Sequence, residues 1–193
     1  LPINKTVREG ARVLHHDVFT NGIVYVDVGL NVRSLPPELV PYVPLLGRAL
    51  LETGTASEDY VSLAQRIGSQ TGGIRPQTSA STVRGTNSGP CWLFLRGKAM
   101  AGQVESLLGI LRDLLSGPRL DLVSRLRQIA QEEKAMLEAS LVPSGHSFVA
   151  TRLRAAFTEG DWAAEQMRGV NYLLFLRKLI KDMEADGEAV VAS

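Results

Sequence analysis

Three histidines and a single cysteine in 193 residues leave few side chains able to carry chemistry. The densest group is His15-His16-Asp17, which has the residue types of a metal site. Zinc needs three or four ligands, and productive histidine pairs sit at i, i+4 on a helix. His15 and His16 are adjacent in a stretch that reads as a strand, where neighbouring side chains point to opposite faces and cannot share one ion. Ser144-Gly145-His146 has a nucleophile beside a base, but it lacks the G-x-S-x-G elbow and sits in a turn-rich break. Cys91, in "PCWLFL", alternates with apolar neighbours and reads as a small buried hydrophobe, not a thiolate. Glu132 and Glu133 fall on the solvated face of a helix whose apolar face is Ile129, Met136 and Leu137. "RGKAMAG" (96–102) has the Gly-Lys of a phosphate-binding loop without its earlier glycine or its following Ser/Thr. These residues define no self-contained active site.

Composition narrows the classes further. A length of 193 residues suits one domain, spanning 1–193, that buries a core without disulfides or a structural metal. With 21 basic and 20 acidic residues the net charge is +1, which marks neither a nucleic-acid nor a polybasic membrane surface. No apolar run reaches the ~18 residues of a spanning helix. The start, "LPINKTVREG", has no initiator Met and no hydrophobic targeting core, as expected of a processed chain or of a piece of a longer one.

The elements that would position these residues follow from periodicity. Val24, Val26, Val28, Leu30 and Val32 alternate with Ile23, Tyr25, Asp27, Gly29 and Asn31, the pattern of a half-buried strand. Residues 11–18 read as a preceding strand, joined to it by a tight hairpin at Thr20-Asn21-Gly22. Pro41 and Pro44 delay the next regular helix to about Leu45. Ser57 caps the following one, with Tyr60, Ala64 and Ile67 inside and a stop at Gly72-Gly73. Two strands follow at 74–84 and 90–97, and Pro76 either puts the first of them at a sheet edge or delays its start until after residue 76. From Gly102 the chain reads as helical. Its stripes are Val104/Leu107/Leu108/Leu111/Leu115, Leu122/Leu126/Ile129/Met136/Leu137 and Leu173/Leu176/Ile180/Met183, with a restart at "VPSGHSF" running through Phe157. Strands first and helices after predict an α+β fold, an antiparallel sheet packed on one face by helices.

Six stretches, in this order, carry a resemblance: "HDVFTNGIVYVDV" (16–28), "LPPELVPYVPLLGRALLETGT" (35–55), "RIGSQTGGI" (66–74), "STVRG" (81–85), "RGKAMAG" (96–102) and "SGHSFVATRL" (144–153). Together they resemble the C-terminal half of presequence-protease-type, pitrilysin-related zinc metallopeptidases, over almost the whole chain. The resemblance implies a LuxS/mitochondrial-processing-peptidase-like metallohydrolase fold, and the third of four related domains that close in two halves around a short unstructured or targeting peptide. It implies zinc in the N-terminal half of the parent enzyme, on an inverted H-x-x-E-H motif, and no cofactor in this chain. Partners implied are the other domains and peptide substrates, with no nucleic acid and no membrane, and possible self-association of the isolated domain. The compartment implied is the mitochondrial matrix or chloroplast stroma, or a bacterial cytoplasm.

If Gly54-Thr55 matches the Gly-Thr that follows the motif in active domains, the motif falls on residues 45–49. Both histidines are then replaced, by Leu45 and Ala49, and the glutamate by Arg48, a cation that repels zinc. The helix of the later glutamate ligand corresponds to that of Glu132 and Glu133. The resemblance also places Gly72-Gly73 ahead of a substrate-pairing edge strand, where Pro76 removes a donor. Arg75, Thr78 and Arg84 are the expected chamber-facing side chains. A non-catalytic scaffold or interaction protein of the same fold is the alternative.

Overall fold

The computed structural model describes residues 2–86 and 89–192. Two short strands, β1 (Asn4–Arg8) and β2 (Ala11–His15), open the chain as an antiparallel hairpin in register from Asn4↔His15 to Arg8↔Ala11. Glu9 and Gly10 turn it with φ of 49° and 82°, the two positive angles of a type I′ turn. Every residue of both strands is exposed.

This corrects the hairpin expected at Asn21-Gly22. Those residues do take positive φ, 52° and 78°, and the Ile23 N–H donates to the Thr20 carbonyl at 3.2 Å. The strand before them has already ended, because the Val18 N–H turns back onto the His16 carbonyl at 3.1 Å. The turn therefore redirects the chain, and β2 pairs with β1 instead.

The main sheet has three antiparallel strands in the order β3 (Ile23–Asn31), β5 (Cys91–Met100), β4 (Ile74–Ala80). Strict alternation buries Cys91, Leu93, Leu95, Gly97 and Ala99 on one face of the central strand. Pro76 lies in an edge strand, as its missing donor requires.

Helices cover the buried face. They are α1 (Tyr42–Glu52), α2 (Tyr60–Gln70), α3 (Val104–Ser116), α4 (Val123–Leu141), α5 (Gly145–Arg154), α6 (Glu159–Arg168) and α7 (Val170–Ala192), the last kinked at Asp186. Leu50, Leu95, Ala99, Leu107 and Leu111 join α1 and α3 to the sheet. A second layer, α4 on α7, is sealed by Ala130, Tyr172, Leu176, Ile180 and Met183. The α+β reading holds, as does the last helical stripe, Leu173/Leu176/Ile180/Met183, every member of which is buried. Among the described residues no helix is long and apolar enough to cross a membrane.

Several local expectations change. Helix α1 starts at Tyr42, not Leu45, because Pro44 sits in its first turn, where an amide has no intrahelical acceptor to lose. Asp59, not Ser57, caps α2, accepting from the Ser62 N–H at 2.8 Å. Its inner face is Leu63 and Ile67, while Tyr60 and Ala64 are exposed. Helix α3 is apolar on two sides. Contact with Leu63 of α2 buries Ile110 and Leu114, leaving Leu108 and Leu115 exposed. Met136 of α4 is exposed too. Helix α5 stops at Arg154, short of Phe157, and α6 was not anticipated, since "EGDWAAEQMR" shows no apolar stripe. It forms under a Thr158 cap bonded to the Asp161 N–H, with Ala163 and Met167 buried.

Candidate functional site

Helix α1 carries residues 45–49, and a glycine sets its distance from the sheet. A Cβ on Gly47 would lie 2.8 Å from Pro76 Cβ and 3.0 Å from Leu93, so only glycine allows this approach. With Gly47 down against the sheet, Arg48 projects toward α4. Its five N–H groups make five bonds. Nε and Nη2 donate to the two Glu52 oxygens at 2.8 and 3.0 Å, and Nη2 also donates to Glu132 at 2.7 Å. Nη1 donates at 3.3 Å both to Glu133 and to the Ile129 carbonyl. The guanidinium's donor capacity is fully used.

A second arginine completes the cluster. Arg125 of α4 donates to the Glu52 carbonyl at 2.9 Å and to its carboxylate at 3.2 Å, with its guanidinium 4.8 Å from the centre of the Tyr60 ring. Two cations thus neutralise most of the charge of three carboxylates. Burial works against the Arg48 charge, but the hydrogen bonds to Glu52 and Glu132 outweigh it and raise its pKa. The Arg48 bond holds the Glu132 carboxyl below the usual glutamate range against a smaller opposing effect of burial. Beneath the cluster, the Tyr172 hydroxyl is buried without a hydrogen-bond partner among the described residues. Burial, then the Glu133 charge, pushes its pKa up.

The two positions flanking Arg48 face something different. Leu45 and Ala49 line an apolar cavity of about 380 Å³ closed by Leu126 and Ile129 of α4 and by Leu179 and Met183 of α7. This segment therefore offers one cation and two aliphatic side chains where a zinc motif would offer two imidazoles and a base. Among the described residues no three His, Cys, Asp or Glu side chains are grouped to hold a metal ion. The Arg48 guanidinium stands between Glu52, Glu132 and Glu133.

The other sequence candidates are scattered. His15 ends β2 opposite Asn4, and His16 lies beyond the strand, both exposed. Ser144 stands at the N-terminus of α5 without a side-chain cap bond, and His146 is exposed in the first turn. Cys91 is buried in β5, where burial raises its thiol pKa, away from thiolate character. Arg75 lies on the open face of the sheet, Thr78 on the helix-covered face, and Arg84 in an exposed turn. The three share no surface. Sequence reading assigned Glu132 and Glu133 to a solvated helix face, whereas both accept from Arg48, and it missed Glu52 and Arg125. Glu52 was legible as an i, i+4 partner of Arg48, whereas Arg125, 73 residues from Glu52, left no local signal.

Residues 2–179 match the family described as Peptidase M16-C associated. The chain is 39% identical over 184 residues to Presequence protease 1, chloroplastic/mitochondrial, of Arabidopsis thaliana, covering 95% of this chain and 17% of that protein. It is 30% identical over 183 residues to Protein HypA of Clostridium perfringens, covering 94% and 19%. It is 26% identical over 181 residues to the mitochondrial presequence protease of Danio rerio, covering 92% and 18%. The chain spans less than a fifth of the length of each of these relatives. On the match over most of its length, the chain belongs to the Peptidase M16-C associated family.

Proposed function

We propose that this chain is a non-catalytic unit of a presequence-protease-like zinc metallopeptidase that degrades short unstructured or targeting peptides. Its role is to form part of the wall of a closed peptide chamber. The observation that carries the reading is Arg48. At the place where the family resemblance puts the catalytic glutamate, a guanidinium is bound on all five donors by Glu52, Glu132, Glu133 and the Ile129 carbonyl. No residue there can activate a metal-bound water. Zinc and peptide-bond hydrolysis would belong to the rest of the parent protein, in a mitochondrial matrix, a chloroplast stroma or a bacterial cytoplasm. Arg75 and Arg84 reach solvent and remain candidates for the enclosed space, whereas Thr78 faces the helices.

The test has two arms. The isolated chain should hold no stoichiometric zinc by elemental analysis and should leave an unstructured peptide intact. One tightly held zinc per chain, lost on His15→Ala or His16→Ala, would overturn the reading. In the parent protein, a photo-crosslinker attached through Arg84→Cys should capture a bound substrate peptide. Failure to capture it, in an enzyme that still cleaves, removes the chamber role.

A further inference from the structure

The face of the β3–β5–β4 sheet turned away from the helices is not a finished surface. Register places its side chains in five rows across the strands, the first of them Ile23 beside Met100. Tyr25 lies beside Lys98, and Asp27 beside Arg96 beside Arg75. Gly29 then lies beside Phe94 beside Gln77, and Asn31 beside Trp92 beside Ser79. Successive rows are roughly 7 Å apart. The cations Lys98, Arg96 and Arg75 hold the middle rows, with Phe94 and Trp92 on one side, Met100 on the other and Tyr25 beside Lys98.

Both the cationic rows and the aromatic rows are left incomplete. Arg96 spends its guanidinium on Asp27, at 2.7 and 3.0 Å, and on Gln77 at 2.8 Å. Arg75, directly across from Arg96, then meets a like charge, and neither it nor Lys98 has an ion pair among the described residues. At the aromatic end Phe94 and Trp92 stack with centroids 5.9 Å apart and lie over Gly29, where a Cβ would be 2.8 Å from the Phe94 ring. The missing side chain lets both rings lie down and present an apolar shelf, while Tyr25 and Met100, 62% and 59% exposed, lie on the far side of Arg96 from it.

We propose that this open face is a docking surface for an acidic polypeptide segment that lies extended across it. One of its carboxylates meets Arg75 and Lys98, and an apolar side chain two to four residues away rests on the Trp92–Phe94 shelf. Charge selects this occupant. A second copy of the chain would set three cations and one carboxylate against the same set, which repels. Single-stranded nucleic acid also favours aromatic rings among cations, but two uncommitted cations on a chain of net charge +1 offer little phosphate neutralisation. An Arg-rich targeting peptide meets like charge here. The inference departs from the chamber reading at Arg75, which it moves from an enclosed space to a covered interface, and leaves Arg84 as that reading's candidate.

The chain carrying Trp162→Phe keeps Trp92 as its one fluorophore of that type. The probe is a capped synthetic peptide with two glutamates followed, at alternate positions, by two phenylalanines, with serine between them. The control replaces glutamate with lysine. The glutamate peptide should shift Trp92 emission and bind at least about tenfold more tightly than the control, and Arg75→Glu with Lys98→Glu should abolish that preference without changing the circular dichroism. Equal binding of the two peptides, or a preference that survives the double variant, overturns the proposal. So does an oligothymidylate that binds more tightly than the glutamate peptide. Sedimentation showing a dimer that the double variant dissolves would assign the face to a second copy and overturn it as well.

Discussion

The α1–α4 contact and the open sheet face hold similar groups in opposite states. At the first, Arg48 and Arg125 meet three carboxylates and two carbonyls, and every Arg48 donor is used. At the second, Arg75 and Lys98 lack a counter-ion among the described residues and stand beside stacked aromatic rings. A polar cluster complete within the chain serves the chain's own stability. One left incomplete has its remaining partner elsewhere. The Arg48 cluster is thus the more closed of the two regions, and the sheet face is the more open.

The largest effect should come from breaking the closed cluster. Arg48→Ala removes five bonds and leaves three carboxylates facing one another, and should destabilise the fold by about 3 kcal/mol in denaturant unfolding. An unchanged midpoint would mean that solvent already screens the cluster. Tyr172→Phe should act the other way. It deletes a buried hydroxyl with no partner among the described residues and should leave stability equal or raise it by up to about 1 kcal/mol. A clear loss would reveal a bond that the hydroxyl makes through water.

The pH dependence sharpens the same contrast with a smaller effect. The folded Glu132 carboxyl, held below the ordinary glutamate value of 4.5 by Arg48, contributes stability that is fully present above that value. This contribution is lost as pH falls through the lower folded pKa, since the unfolded chain takes up the proton first. With its side chain 43% exposed, the contribution is modest. Acid unfolding should therefore lose part of its steepness between pH 4.5 and lower values in Glu132→Gln. The smallest effect belongs to the open face. Arg75→Glu should change stability by no more than about 0.5 kcal/mol, because it breaks no bond and relieves the clash with Arg96. A loss as large as that of Arg48→Ala would erase the distinction between the regions.

Legibility differed between these regions for a physical reason. The alternation of β3 and β5 was readable because a sheet with one covered face imposes a period of two on the sequence itself. The edge position of Pro76 was one of the two placements that its missing donor allowed. Arg48 was singled out by where it stands in "LLGRA", but Glu132 and Glu133 were read as a solvated helix face and not as its partners. Arg75, Thr78 and Arg84 were grouped along the chain, and the pleat and a turn then separated them.

The sequence by itself determined which residues alternate, which last helix is amphipathic, and that residues 45 and 49 hold no imidazole. Each of these depends on neighbours within a few positions. The tertiary structure alone decided that β2 pairs with β1, which of two apolar stripes of α3 turns inward, and that Arg125 joins the cluster. It also decided that the outer face of the sheet sets cations next to a shelf of stacked aromatic rings. Each of these sets groups from distant parts of the chain against one another, and only packing and register choose among partners that local periodicity leaves equivalent.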